Sequence, residues 1–212
     1  MTLHIGNYNY SSWSLRAWLV LSKAELPFVE RVVDLDVPGY KSRLARISGA
    51  ATVPVLEVNG DTIPDSLAIA EFAAKCVPNL WPKDETARER AREVTRLMHE
   101  GFPAIRRECP MNLRRRTNGV VPKDALKEAD ELDGLFQSLL SEHNGPFLFD
   151  DWSIADAFYA PIATRFESYG LPRSRQTDTY FSELMSDADY QEWEARAFAE
   201  AHRLPETDAV NA

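Results

Sequence analysis

Cysteine is scarce in this chain, and so is histidine, the other residue that most often binds transition metals. The 212 residues include 2 cysteines and 4 histidines. Cys76 and Cys109 lie far apart in the sequence, in no spacing that is typical of a metal or redox site. We therefore predict no metal site and two reduced, packed thiols.

Excess positive charge and long apolar runs are also missing. The formal net charge is -9, and an acidic chain is a poor candidate for binding nucleic acid. No apolar run approaches the roughly 18 residues that a transmembrane helix needs. The first residues also lack the basic start and apolar stretch of a signal peptide. We therefore expect a cytoplasmic protein with no nucleic-acid or membrane partner.

Residues 1–77 alternate between strand and helix patterns. Asn59-Gly60 is a strong hairpin signal, because both turn positions need a positive φ. The first strand–helix–strand unit implies a parallel pair with a right-handed crossover. In chain order we predict strands at 3–5, 28–33, 53–58 and 62–64, and helices from about Leu15 to Pro27, at 40–47 and from 65–66 to about 76.

After Lys83 the strand signals fade and helical spacing dominates. Residues 77–82 contain two prolines and are typical of a linker, so we predict an α/β domain at 1–77 and an all-helical domain at 84–212. The predicted helices lie at about 84–107, 123–142, 153–169, 178–186 and 189–202, and the tail 205–212 is expected to fray. Pro103 and Pro110 are expected to kink or end the first of these helices, and Ser153 and Asp156 have capping-box spacing.

Three serines near the start of the first helix give the first functional signal. Ser11, Ser12 and Ser14 lie between a strand and a helix, where serine is a preferred N-cap. The unpaired N–H groups and the dipole at a helix start also stabilise a bound anion. The stretch by itself is therefore consistent with an ordinary cap or with a site for a thiolate, carboxylate or phosphate.

Four motifs in order make the chain resemble the cytosolic glutathione transferase superfamily along nearly its whole length. The serine stretch is most similar to that of the zeta class and its bacterial relatives, which reads Ser-Ser-Cys-Ser. In this chain Trp13 replaces the cysteine, which speaks against the isomerase chemistry of that class and against the thiol-exchange classes. The four motifs are Ser11-Ser12-Trp13-Ser14-Leu15-Arg16, Thr52-Val53-Pro54-Val55-Leu56, Asp65-Ser66-Leu67-Ala68-Ile69 and Ser153-Ile154-Ala155-Asp156.

The resemblance implies a thioredoxin-like α/β N-terminal domain, an all-α C-terminal domain, glutathione as co-substrate and a homodimer. It implies a cis bond at Val53-Pro54, beside which the backbone of Val53 pairs with the cysteinyl part of glutathione. It also implies that Ser66 binds the γ-glutamyl carboxylate and that Asp65 binds the amino group. The glycyl carboxylate needs a cation, for which Lys41 and Arg43 are the candidates.

Several hydroxyls are candidates for the group that hydrogen-bonds the glutathione thiolate. The resemblance ranks Ser11 first, Ser12 second and Tyr10 third, and Tyr8 is close enough in sequence to compete. A hydrogen bond to a charged group contributes about 1.5–3 kcal/mol, which corresponds to roughly one to two pKa units. Such a bond would bring a thiol with a pKa of about 8.5 towards neutrality.

The acceptor site is expected between the two domains, lined by the helices that follow Lys83. Arg106, Arg107 and the run at 114–116 favour an anionic acceptor, although a solvated basic surface explains the run equally well. The candidates are Tyr10, Trp13, Phe102, Ile105, Arg106, Pro110, Met111, Asn112, Arg165, Phe166 and Tyr169.

We therefore predict a glutathione transferase that activates the glutathione thiol through a serine hydroxyl and adds it to a small, hydrophobic electrophile. One alternative is a zeta-like, glutathione-dependent cis–trans isomerase of the maleylacetoacetate type. The other is a non-catalytic scaffold of the same fold that binds a protein partner, since a fold does not fix a function. Retention of Ser11, Val53-Pro54 and Asp65-Ser66 together disfavours the scaffold.

Overall fold

A four-stranded sheet organises the first part of the chain. The computed structural model describes residues 1–35, 37–49, 51–117 and 119–210. Strand β1 pairs in parallel with β2 and antiparallel with β3, which forms a hairpin with β4, in the order β2-β1-β3-β4. The predicted α/β arrangement with a terminal hairpin is therefore confirmed. The strands are β1 (Thr2–Ile5), β2 (Val29–Val32), β3 (Val55–Val58) and β4 (Asp61–Ile63).

Three helices accompany this sheet, and the first of them forms the interface with the rest of the molecule. Helices α1 (Ser12–Lys23), α2 (Tyr40–Ser48) and α3 (Ser66–Cys76) lie close to their predicted positions. Helix α1 packs against α3 and against the helix Ile154–Tyr169 in the second part of the chain. Leu15 and Leu19, which are spaced by one helical turn, are buried there. The start of α1 therefore lies where the two parts of the chain meet.

The second part of the chain is helical, and two of the predicted helices differ in their bounds. The helix predicted at 84–107 ends at Glu100, and the break expected at Pro103 is confirmed, because the chain turns at Gly101 and Phe102 (φ 58°) and Pro103 begins a new helix. The helix predicted from 178 begins at Arg175, because the hydroxyl of Ser174 caps it by accepting from the N–H of Thr177. The helices are α4 (Glu85–Glu100), α5 (Pro103–Glu108), α6 (Lys123–Glu142), α7 (Ile154–Tyr169), α8 (Arg175–Ser186), α9 (Ala188–Ala199) and α10 (Pro205–Ala209).

The C-terminal segment is ordered rather than frayed. Residues 205–209 form α10, and Asp208 accepts hydrogen bonds from the Tyr10 hydroxyl at 3.0 Å and from Asn112 Nδ2 at 2.7 Å. The prediction of a frayed tail is therefore wrong for residues 205–210, and residues 211–212 lie outside the described part of the chain. Within the described residues, no helix is long and apolar enough to cross a membrane.

The capping box at the start of α7 is present and fully buried. Asp156 accepts hydrogen bonds from the N–H groups of Leu148 and Ser153, from the Ser153 hydroxyl and from the Tyr180 hydroxyl. Burial raises the pKa of Asp156 to about 6, so the folded protein holds this proton more tightly than the unfolded chain. The carboxyl therefore ties α7 to α8 and to the loop before α7.

We expect Asp156→Ala to lower the free energy of unfolding by about 3 kcal/mol, because it leaves buried donors without an acceptor. The loss should be larger near pH 4 than near pH 7, since a carboxyl with a raised pKa contributes most stability below its unfolded pKa of about 3.9. Urea denaturation at the two pH values measures both effects. Asp130→Ala, at an exposed position of α6, should change stability by less than about 0.5 kcal/mol at either pH. Equal losses in the two variants would contradict the structural role of Asp156.

Candidate functional site

The three serines at the start of α1 are buried, and two of them are linked by a hydrogen bond. Ser11 occupies the N-cap position of α1, and its hydroxyl lies 2.8 Å from the hydroxyl of Ser14 in a hydrogen bond. The Ser14 oxygen also accepts from the N–H of Gly6 at 3.0 Å. A side chain at Gly6 would begin 3.0 Å from the Ser11 oxygen, so this close approach of the loop to Ser11 favours glycine.

A cavity of about 500 Å³ opens beside Ser11 and Ser12. One wall comes from the first part of the chain and the other from α5, α7, the loop before α6 and the C-terminal segment. A volume of this size suits a small organic ligand. The described residues that line it are Tyr10, Ser11, Ser12, Trp13, Leu35, Tyr40, Lys41, Leu44, Ala51, Thr52, Val53, Arg106, Pro110, Met111, Arg165, Leu204 and Thr207.

The wall of this cavity is basic, although the chain as a whole is acidic. It carries Lys41, Arg106 and Arg165, and its described lining includes no aspartate or glutamate. Arg165 donates through Nη2 to the Ser12 hydroxyl at 3.3 Å and through Nε to the carbonyl of Cys109 at 2.9 Å. Burial lowers the pKa of Arg165 to about 10, so the side chain is still cationic at neutral pH. The cavity therefore favours anionic ligands.

A second cavity of about 320 Å³ lies beside the start of α3, and Trp13 and Val53 line both cavities. The Val53–Pro54 bond is cis, as the resemblance implied. The Ser66 hydroxyl is buried and has no hydrogen-bond partner among the described residues. The described lining consists of Trp13, Thr52, Val53, Pro54, Pro64, Asp65, Ser66 and His99.

Asp65 caps α3 and pairs with a residue of the second part of the chain. Its Oδ1 accepts from the N–H groups of Leu67 and Ala68 at 2.8 Å and 3.0 Å. Its Oδ2 lies 3.3 Å from Nε2 of His99 in α4. The hydrogen bond from His99 lowers the pKa of Asp65, so the carboxylate is charged at neutral pH. Asp65 is therefore the N-cap of α3 and also lines the second cavity.

The two tyrosines considered for the thiolate role have other partners. The Tyr8 hydroxyl bonds to Glu30 and Arg196, and burial together with Glu30 raises its pKa to about 12. The Tyr10 hydroxyl donates to Asp208 and accepts from the N–H of Leu204 at 3.2 Å. Tyr10 lines the larger cavity through its ring, but its hydroxyl holds the C-terminal segment.

Some of the remaining acceptor-site candidates line the larger cavity and others do not. Trp13, Arg106, Met111 and Arg165 line the larger cavity together with Tyr10 and Lys41. Phe102 and Tyr169 are buried but are not part of this lining, and the Tyr169 hydroxyl donates to the carbonyl of Pro110 at 2.9 Å. Arg43 is exposed and also lies outside the lining.

The arginine run at 114–116 serves the fold rather than a ligand. Arg114 donates to the carbonyl of Glu200 at 2.5 Å and to the Tyr10 hydroxyl at 3.0 Å. Arg115 donates to the carbonyls of Asp208 and Val210. The suggestion that this run attracts an anionic acceptor is therefore wrong for Arg114 and Arg115, whose guanidinium groups hold the C-terminal segment.

Sequence analysis missed the residues that position the loop before Ser11. Glu200 accepts from the N–H groups of Tyr8 and Asn9 and from the side chain of Asn7. Asn9 also donates to the side-chain oxygen of Asn112 at 2.8 Å. The two asparagines are a turn signal that precedes the serines, but nothing local points to Glu200, which lies about 190 residues away.

Comparison with known proteins identifies the family. Residues 10–76 match the family model described as "Glutathione S-transferase, N-terminal domain". A Caenorhabditis elegans protein named "Probable maleylacetoacetate isomerase" is 31% identical over 174 residues, which are 79% of this chain and 81% of that protein. Glutathione S-transferase L1 of Arabidopsis thaliana is 26% identical over 158 residues, 73% of this chain and 62% of that protein. The chain belongs to the glutathione transferase superfamily, and the predicted enzyme class is confirmed.

Solved structures show the same fold. A Burkholderia glutathione transferase homologue with bound glutathione superposes with a TM-score of 0.73 at 24% identity, over 94% of this chain and 98% of that chain. A maleylpyruvate isomerase, described as a bacterial glutathione transferase of the zeta class, gives 0.71 at 16% identity, over 96% and 100%. The thioredoxin-like N-terminal part and the helical C-terminal part are therefore confirmed as the glutathione transferase architecture.

We expect Tyr10→Phe to lower the free energy of unfolding by about 1–3 kcal/mol, because it removes the hydroxyl that bonds to Asp208, Arg114 and Leu204. Urea denaturation measures the loss. Tyr40→Phe is the matched control, since Tyr40 lines the same cavity and its hydroxyl makes no hydrogen bond to the described residues. Equal stability of the two variants would show that Tyr10 does not hold the C-terminal segment.

Proposed function

We propose that this enzyme ionises the thiol of glutathione beside Ser11 and transfers the sulfur to a small electrophile in the 500 Å³ cavity. The observation that carries the proposal is the position of Ser11. It occupies the N-cap position of α1 and lines the 500 Å³ cavity, which adjoins the second cavity at Val53 and Ser66. A thiolate at this position would face the unpaired N–H groups and the positive end of the α1 dipole. Both effects lower a thiol pKa.

Ser11 is the first choice for the donor because a second hydroxyl supports it. The Ser11 hydroxyl donates to the Ser14 oxygen 2.8 Å away, and the Ser14 oxygen also accepts from the N–H of Gly6. Because a hydroxyl can rotate to donate in either direction, Ser14 can donate to Ser11 when Ser11 turns its proton to sulfur. Each hydrogen bond in such a chain polarises the next, so the bond from Ser11 to sulfur is strengthened. Ser12, which already accepts from Arg165, is the second choice.

Glutathione would occupy the two adjoining cavities from end to end. The unpartnered hydroxyl of Ser66 at the start of α3 suits the γ-glutamyl carboxylate. Asp65, with Oδ2 towards His99 and the cavity, suits the amino group. The backbone of Val53 would pair with the cysteinyl part, as an added strand does. Lys41 is the cation for the glycyl carboxylate.

The reaction requires no covalent enzyme intermediate. The thiol proton leaves to solvent, the thiolate attacks the electrophilic carbon, and the enzyme contributes the lowered pKa and the positioning of both reactants. We therefore expect Ser11→Ala to lower kcat by about ten-fold to a hundred-fold, which is the loss of a charged hydrogen bond of about 1.5–3 kcal/mol. Steady-state kinetics at saturating glutathione measures this, and the KM for glutathione should stay within about two-fold. A rise in KM with an unchanged kcat would move the thiolate role elsewhere.

We expect Ser66→Ala to weaken glutathione binding by about ten-fold or more, because the variant loses a buried partner for a carboxylate. Isothermal titration calorimetry measures the dissociation constant. Ser182→Ala, at an exposed position of α8, should bind glutathione as the wild type does. An unchanged affinity of Ser66→Ala would show that Ser66 does not bind glutathione and only begins α3.

A glutathione-dependent cis–trans isomerase is the second candidate function. It is favoured by the 31% identity to the protein named maleylacetoacetate isomerase and disfavoured by Trp13 in place of the zeta-class cysteine. An isomerase converts its substrate without net consumption of glutathione, so turnover with an unchanged thiol concentration distinguishes the two. The homodimer, the cytoplasmic location and the domain limits 1–77 and 84–212 stay predictions.

A further inference from the structure

Trp13 lies between two guanidinium groups. The carbon at the centre of the Arg16 guanidinium is 4.6 Å from the centre of the indole ring, and that of Arg106 is 4.8 Å from it. The edge of the His99 ring meets the same indole at 5.1 Å. We call Arg16, Trp13 and Arg106 the arginine–tryptophan stack. It joins the first turn of α1 to α5 across the two parts of the chain.

Arg16 is an unusual residue in this stack because its charge is buried and unpaired. The side chain is fully buried, and none of its three guanidinium nitrogens has a hydrogen-bond partner among the described residues. It rests between the rings of Trp13 and Phe158, the latter at 5.2 Å. A buried cation without a hydrogen-bond partner lowers stability. Asp65 opposes this cost only through space, since it makes no hydrogen bond to Arg16.

Two of the nearby charges have the same sign as Arg16, and the carboxylate of Asp65 opposes them. Burial, followed by the charges of Arg106 and Arg165, lowers the pKa of Arg16 well below its usual range. Glu128 lies near Arg106, but its two oxygens accept from the N–H groups of Ala104 and Ile105 at the start of α5. The carboxylate of Glu128 is therefore already held by the backbone.

Arg106 is held in place with one nitrogen left over. Its Nε donates to the carbonyl of Gly101 at 2.9 Å, and its Nη2 donates to the carbonyls of Met98 and His99. Nη1 takes part in none of these bonds, and the side chain lines the 500 Å³ cavity together with Arg165. Two fixed guanidinium groups beside Ser12 form a preorganised site for a carboxylate.

We propose that the arginine–tryptophan stack makes the acceptor site selective for electrophiles that carry a carboxylate. Trp13 fixes Arg106, and Arg16 adds positive potential from behind the indole. Arg106 and Arg165 are the groups that contact the carboxylate. This inference rests on the proposed function, and of the two kinds of acceptor considered from sequence it favours the anionic one over the hydrophobic one.

Two pairs of aromatic probes that differ only in charge test the proposal. The reactive pair is 4-chloro-3,5-dinitrobenzoate and its carboxamide. The thiolate forms a bond to the carbon that carries chlorine, chloride leaves with the bonding electron pair, and the thiol proton goes to the buffer. The unreactive pair is 3,5-dinitrobenzoate and its carboxamide, which lack the leaving group and report binding through quenching of tryptophan fluorescence.

We expect the wild type to prefer the carboxylate by about ten-fold or more, both in kcat/KM and in dissociation constant, as for one charged hydrogen-bonded contact. Arg106→Met should abolish this preference, and Trp13→Leu should reduce it several-fold. Trp13→Phe keeps an aromatic ring between the two arginines and should retain most of it. Arg107→Met is the matched control, because Arg107 is exposed and lies outside the cavity lining.

Three outcomes separate this inference from the proposed function. Equal kcat/KM and equal binding for the acid and the amide in the wild type would overturn the inference and leave the transferase function intact. Preferential binding of 3,5-dinitrobenzoate without turnover of the reactive pair would support the inference and count against the transferase function. A preference that survives in Arg106→Met and Trp13→Leu, with both variants folded by circular dichroism, would show that the stack is not its source.

Discussion

The candidate site depends on the partly buried hydrogen bonds that join the loop before α1 to the C-terminal segment. Glu200 accepts from the backbone of Tyr8 and Asn9, and Asp208 accepts from the Tyr10 hydroxyl. These bonds fix the loop that ends at Ser11. Because buried polar groups need partners, the loop and the segment order each other. The position of the hydroxyl that would meet sulfur is thus set by residues from both ends of the chain.

The site is basic, although the protein as a whole is acidic. A chain with a net charge of -9 places Lys41, Arg106 and Arg165 on one cavity. Low dielectric strengthens the attraction of buried cations for an anion, and glutathione itself carries two carboxylates. The same cations that would receive glutathione and its acceptor also repel each other, which is consistent with a site that is complete only when anions occupy it.

The local features of the fold could be predicted from sequence, and the long-range ones could not. Asn59-Gly60 and the Ser153–Asp156 spacing depend on neighbours in the chain, so the hairpin and the capping box were predicted correctly. The order of the tail depends on Arg115, about 95 residues away, and no local pattern reveals it. Strand β3 begins at Val55 rather than Val53, because the cis bond precedes the ladder.

The same division holds for the candidate site. Ser11, Val53-Pro54 and Ser66 could be named as candidates from the sequence because each belongs to a short motif whose order is informative. Arg16 and His99 were not, because their significance comes from the packing of α1 against α4, α5 and α7. An arginine on a helix reads as a solvated side chain until the structure shows that it is buried between two rings.

The central claim is that this site lowers the pKa of the glutathione thiol through the hydroxyl of Ser11. The most direct measurement is a pH titration of the ultraviolet absorbance of the thiolate in the complex of enzyme and glutathione, for the wild type and for Ser11→Ala. We expect the pKa of the bound thiol to lie roughly one to two units below that of free glutathione in the wild type. In Ser11→Ala this pKa should return towards the value of free glutathione. A bound thiol with an unshifted pKa, or an equal shift in both proteins, would contradict it.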